Sequence, residues 1–188
     1  ALMWAALENH AGAVTLLAAR GASINARSNP TTFPRLRFGD GIVARQMVLP
    51  RGNWTALMYA ARQNSIDAAR ALADAGADLN LTDPDGTTAL VFAIINGHFD
   101  LAKLLVEKGA DPNVADQMGM AALYAAVDMS TLDETVGRPN PKPHSAITAA
   151  DLVEALLARG ANPNVTLKSP VLERVHNNGE PSLAEGAT

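Results

Sequence analysis

Leu57, Leu90 and Leu123 stand 33 residues apart, and Gly76 and Gly109 repeat the same interval. A fixed period of roughly 20–50 residues signals stacked supersecondary modules, each too small to bury both of its own faces. Within a unit the markers keep their order. A Leu is followed 19 residues later by Gly-Ala, as in Leu2 to Gly21, Leu57 to Gly76 and Leu90 to Gly109, and an Asn follows that Gly by four: Asn25, Asn80, Asn113 and Asn164. Interruptions of the period locate the insertions. Leu2 to Leu57 carries 22 extra residues, and Leu123 to Gly160 spans 37 residues instead of 19. A third excess follows Asn164, because Gly186 arrives after 22 residues where Gly86 and Gly119 arrive 6 after their Asn.

Local chemistry points to two short helices per unit. Thr55 and Thr88 precede Ala/Leu-rich runs, as N-cap residues do, and Gly21, Gly76, Gly109 and Gly160 follow runs in the position of a C-terminal stop. The first helix, such as 56–63, is rich in small residues and suits close approach to its neighbour. The second, such as 101–107, places Leu101, Leu104 and Leu105 at i, i+3 and i+4 and therefore carries a buried stripe. Composition agrees: Ala accounts for 36 of 188 residues and aromatics for only 4%, so the core is built from small side chains and Leu.

The third unit resembles the ankyrin repeat. It reads Asp83-Pro84-Asp85-Gly86-Thr87-Thr88-Ala89-Leu90, then Asn96-Gly97-His98, Leu104-Leu105 and Gly109-Ala110-Asp111-Pro112-Asn113. Ala stands in place of the family Pro at Ala56, Ala89 and Ala122, and Ala121 in place of the capping Thr. The resemblance implies an all-α ankyrin-repeat solenoid of four helix-turn-helix units with three loop insertions. The expected layout of this single domain is repeat 1 at 1–27, an insertion at 28–52, repeat 2 at 53–85 and repeat 3 at 86–118. Repeat 4 follows at 119–164, with an insertion at 129–147, then a C-terminal insertion at 165–185 and the start of a next repeat at 186–188. Ala1 aligns with Ala56 and Ala89, and Thr188 with Thr55 and Thr88, which leads us to expect a segment of a longer array.

Catalytic and metal chemistry find little support in the residues. There is no Cys, hence no thiolate nucleophile and no Cys-ligated zinc. His10 and His98 share one repeat position, which in the family braces the turn after the first helix, and His144 and His176 lie in separate insertions. Neither pattern supplies ligand partners at i+3 or i+4. Asp83-Pro84-Asp85-Gly86 lacks the acidic spacing of a calcium loop, and Ile94 stands where the bidentate Glu belongs. No nucleophile elbow or phosphate-cradling glycine loop occurs. The expectation is no catalytic residue, no metal and no cofactor. A net charge of -4 gives no general attraction to nucleic acid or anionic lipid, and the apolar runs are far shorter than the roughly 18 residues of a membrane span.

What remains is binding. The 28–52 insertion concentrates Arg35, Arg37, Arg45 and Arg51 against a single Asp40, with Phe33 and Phe38 interleaved. Arg and aromatic residues are enriched at binding hot spots. The family's variable positions imply a concave face made by Leu7, Glu8, Arg62, Gln63, Ile95, Asn96, Asp128 and Met129 on helices, with Pro84, Asp85, Thr87, Gln117, Met118 and Met120 on the inter-repeat fingers. The expected function is a non-catalytic scaffold for a protein partner, contacted by Arg35, Arg37, Phe38, Arg62, Gln63, Pro84, Asp85, Ile95, Asn96, Gln117 and Met118. Two other readings stay open: a regulatory or substrate-presenting segment of a longer enzyme, and a weak nucleic-acid binder acting through the Arg-rich insertion. The 28–52 and 165–185 insertions are expected on the finger edge and the 129–147 insertion on the opposite one. Trp4, Tyr59 and Phe92, each two residues after a marker Leu, are expected to be core or half-core.

Overall fold

The computed structural model describes residues 1–30, 52–130 and 145–168. Eight helices form in that span: α1 (Leu2–Leu7), α2 (Ala11–Ala19), α3 (Ala56–Arg62), α4 (Ile66–Asp74), α5 (Ala89–Ile95), α6 (Phe99–Glu107), α7 (Ala122–Ser130) and α8 (Ala149–Ala158). The odd-numbered helices stack in chain order as an inner layer and the even-numbered ones as an outer layer, while each α1/α2-type pair packs on itself. Isolated antiparallel bridges, Arg27 with Thr55 and Thr82 with Thr88, close the fingers between units, and no strand forms among the described residues.

Helix ends follow from the side chains at their boundaries. The Thr55 and Thr88 hydroxyls accept the amides of Met58 and Val91, each at 3.3 Å. After each of the first three inner helices the chain needs one left-handed residue to reverse direction. Asn9, Asn64 and Gly97 fill that place at φ 57°, 58° and 75°; Asn and Gly are the residues that tolerate it best.

Ala60, Ala61, Ala93, Ala125 and Ala126 are wholly buried and let the inner helices approach closely, with Met58, Leu90 and Ile94 filling the space between the layers. On the outer layer Leu72, Phe99, Leu101, Leu105, Leu152 and Leu156 supply the buried stripe. The helix expected at 101–107 begins earlier, at Phe99, because that side chain is itself buried.

The repeated Asn has a structural office. Asn25 Oδ1 accepts the Asp78 amide at 3.0 Å, Asn80 Oδ1 that of Asp111 at 2.8 Å, and Asn113 Oδ1 that of Asn162 at 2.7 Å. Each Asn thus ties its unit to the next, which explains why the marker recurs even where insertions interrupt the period.

Two expectations need correction. Trp4 is not core or half-core: it is 69% exposed, whereas Tyr59 and Phe92 are half-buried. Those two rings pack against Trp54, the residue before the Thr55 cap, and no ring contact to Trp4 forms among the described residues. The 129–147 insertion is also anchored more deeply than its spacing implied. Helix α7 continues through Met129 and Ser130, and Met129 and Ile147 both pack on the core. Ser145 then docks on the preceding unit, its Oγ accepting the Phe99 and Asp100 amides at 2.7 and 3.3 Å and donating to the Gly97 carbonyl at 3.2 Å.

Candidate functional site

The inner helices and fingers present two rows in register. Arg62 and Gln63 at the end of α3 occupy the same repeat positions as Ile95 and Asn96 at the end of α5, and α3 packs directly on α5. Pro84 and Asp85 on one finger correspond likewise to Gln117 and Met118 on the next. Arg62, Gln63 and Gln117 are exposed, and the other five are half-buried. Arg35, Arg37 and Phe38, together with residues 171–176 and 144, lie outside the described residues. Of the other face positions, Thr87 and Met120 are buried. They take the place in their units that Trp54 takes in the second, beneath the finger and away from its surface.

Several of these side chains are already committed to the scaffold. Gln117 donates from Nε2 to the Pro84 carbonyl at 2.8 Å and from its backbone to the Asp85 carbonyl at 3.0 Å, which locks the two fingers edge to edge. Asn96 Nδ2 donates back to the Phe92 carbonyl at 2.8 Å. Arg62 keeps its charge outward but lays its guanidinium over the Trp54 ring, 5.5 Å from the centroid. Such stacking orients Arg while leaving its N–H fork available. His98 serves as a brace, its Nδ1 lying 3.0 Å from the Ala61 carbonyl, while His10 at the same position is exposed.

Trp54 and Arg27 are the parts that sequence reasoning missed. Trp54 is buried at the root of the second finger with ring centroids 5.3 Å from Tyr59 and 4.6 Å from Phe92. Its bulk, where other units have Thr87 or Met120, was the available signal. Arg27 clamps two fingers, its Nη1 donating to the Asn53 carbonyl at 2.9 Å and the Thr82 carbonyl at 2.6 Å. The stem of the first insertion continues from there through a Ser28 amide bond to the Trp54 carbonyl at 2.9 Å and a Pro30–Gly52 bridge. After Asn164 the chain is anchored by buried Leu167, and the Lys168 amide donates to the Met118 carbonyl at 2.8 Å. The bases of both finger insertions are thereby joined to finger backbone.

Electrostatics on the fingers centre on Asp83 and Asp116. Burial raises both carboxyls above their ordinary value, outweighing the amide bonds from Thr87 and Asp85 to the first and from Met120 and Met118 to the second. The charges of Asp85 on Asp83 and of Asp83 on Asp116 push the same way. The Trp54 indole N–H meets no acceptor at hydrogen-bonding geometry among the described residues, yet lies near enough to Asp83 to offset part of its shift.

A carboxyl with a raised folded pKa binds its proton more readily when folded. Its contribution to stability is therefore fullest below the ordinary value of 3.8 and is lost as pH rises through the folded value. Asp83→Asn with Asp116→Asn keeps an acceptor oxygen and removes the titration. The melting temperature of the natural chain minus that of this double variant should fall as pH rises just above 3.8, then level off. Thermal melts from about pH 3 to pH 7 at constant ionic strength check this, and a difference that rose with pH would refute it.

No group of three or more His, Cys, Asp or Glu among the described residues could hold a metal ion, and no helix there is long and apolar enough to cross a membrane. Family comparison matches ankyrin repeats (3 copies) over residues 39–116 and 57–136, and a single ankyrin repeat over residues 1–29. Among curated proteins no match to the chain is found.

Proposed function

The chain belongs to the ankyrin-repeat family, whose members are generally protein-interaction modules and typically non-catalytic, and on that premise we propose that it is a scaffold holding a protein partner against the inner helix and finger face. The observation that supports this reading is the register of the two rows. Arg62, Gln63, Ile95 and Asn96 line the helix ends beside Pro84, Asp85, Gln117 and Met118 on fingers that Gln117 has already locked together. A surface ordered before binding loses little conformational entropy when a partner arrives. Arg62 over Trp54 supplies an oriented cation at one end, and Ile95 an apolar anchor near the centre. Arg35, Arg37 and Phe38 of the Arg-rich insertion, which lie outside the described residues, are assigned to the same partner on their residue type, a cationic and aromatic set suited to an acidic segment.

Alanine scanning against a purified partner tests the assignment. Ile95→Ala should speed dissociation by the equivalent of about 1–2 kcal/mol, and charge reversal at Arg35 and Arg37 should slow association and flatten its salt dependence. Hot spots confined to Asp74, Lys103 and Glu107 on the outer helices, with the inner face silent, would overturn it.

A further inference from the structure

Leu7, Arg62 and Ile95 hold one repeat position and are the last residues of α1, α3 and α5, helices that pack on one another in that order. Across the inner face the row therefore reads apolar, cationic, apolar, with Leu7 and Ile95 half-buried and Arg62 exposed. Packed helices lie about 8–10 Å apart, which sets the step along the row.

Arg62 differs from an ordinary surface cation. Its guanidinium lies 5.5 Å from the centroid of the Trp54 ring, and buried Trp54 is itself held by Tyr59 and Phe92 at centroid distances of 5.3 and 4.6 Å. The stack orients the planar fork and consumes none of its N–H donors. No carboxylate pairs with Arg62 among the described residues, although Lys108 and Asp74 do form an ion pair there. Asp128, next in the row after Ile95, stands two helix steps from Arg62, about 16–20 Å and beyond the roughly 8 Å screening length of physiological salt. An oriented guanidinium with unspent donors is complementary to a carboxylate.

Tyr59 and Phe92, both half-buried, stand one helical turn nearer the fingers than Arg62 and Ile95. A polyproline II segment has three residues per turn and rises about 3.1 Å per residue, so positions i and i+3 share an edge roughly 9 Å apart, one for each helix of the row. Same-side residues of a strand repeat at about 7 Å and fall out of step. Segments of the polyproline II type also dock on aromatic-lined surfaces.

Resting on the reading of the inner face as the partner surface, we propose that this face takes a proline-rich segment of the partner in polyproline II conformation, bearing one carboxylate side chain with an apolar residue three positions to either side. The carboxylate accepts from the Arg62 fork, the apolar side chains pack on Leu7 and Ile95, and the intervening prolines rest on Tyr59 and Phe92. The pattern reads the same from either end, so it does not depend on chain direction.

The probe is the acetylated, amidated peptide Leu-Pro-Pro-Glu-Pro-Pro-Leu. Titrated into the natural chain, it should move the NMR signals of the Arg62 side-chain N–H and the Trp54 indole N–H, and bind about tenfold more tightly than the same peptide with Gln for Glu. Arg62→Gln should erase that preference and leave the two peptides equal, with circular dichroism reporting the fold. Arg62→Lys, which keeps the charge without the fork, should retain only part of it. Ile95→Ala should weaken both peptides alike. No movement of the Arg62 signal at millimolar probe overturns the proposal, as does a Glu preference that survives Arg62→Gln. Tighter binding of an alanine-rich helical peptide carrying the same three residues at seven-residue spacing overturns it too. These results are separable from the reading on which the proposal rests: a silent probe with partner hot spots on the inner face removes this inference alone, whereas hot spots confined to the outer helices remove both.

Discussion

Phe99→Ala should destabilise the folded chain by about 3–5 kcal/mol, the range for truncating a buried aromatic ring. Phe99 opens α6 and is buried in the continuous core, where α6 meets α4, α5 and α8. Its amide is also the one that Ser145 reaches from the fourth unit at 2.7 Å. The cavity would consequently sit at a junction of three units. Because each unit borrows its core from its neighbours, the loss should spread. Native-state hydrogen exchange ought to show reduced protection in α4 and α8 as well as α6, with denaturant unfolding giving the total. Loss confined to α6 would contradict the coupling of units that the stacked layers require.

The parts of this architecture legible in the sequence are those that every unit must repeat. Asn25, Asn80 and Asn113 each accept an amide from the next unit, and Thr55 and Thr88 each cap an inner helix, so the same residue types recur at the same place in the unit. Features used once leave no periodic trace. Trp54 fills a place held elsewhere by Thr87 and Met120, since burial there can be met by unlike side chains. Ser145 caps a helix of the preceding unit from the end of an insertion, a contact 46 residues away with no local signature. Trp4 illustrates the converse: alignment assigns it the environment of Tyr59, but environment depends on the neighbour as well as on the position.

The candidate face divides in the same way. Its two rows follow from register alone, because Arg62 and Ile95, or Pro84 and Gln117, are single repeat steps apart. Which side chains remain available does not follow from register. Gln117 reads as a surface residue, yet its amide is spent on the Pro84 carbonyl, and Asn96 bonds its own helix. In the proposed recognition surface the side chains left uncommitted by these bonds include Gln63, Ile95 and Met118, with Gln117 fixing the finger on which Met118 rides.

Rigid fingers make Gly86 an exacting backbone position in that face, and Gly86→Ala should be more damaging than Gly109→Ala. Both glycines adopt left-handed backbone, at φ 91° and 100°, so any Cβ is strained at either. At Gly109 the added methyl meets nothing within 4 Å, and the penalty should stay near the roughly 1–2 kcal/mol of a left-handed alanine. At Gly86 it would lie 2.9 Å from Asp116 Cα and 3.1 Å from the Gln117 amide nitrogen, both backbone atoms of the neighbouring finger. Neither can swing aside as a side-chain tip could. The Gln117 amide is also the one bonded to the Asp85 carbonyl, so relieving the overlap means breaking the finger-to-finger lock. We expect backbone strain of about 1–3 kcal/mol to be joined by loss of that bond, worth about 1 kcal/mol. The effect should therefore appear in two measurements. Chemical denaturation should rank Gly86→Ala below Gly109→Ala, and hydrogen exchange at the Gln117 amide should accelerate only in the former. If the two variants proved equally stable with Gln117 protected in both, the fingers would be compliant enough to separate without cost, and the face they form would not be ordered ahead of its partner.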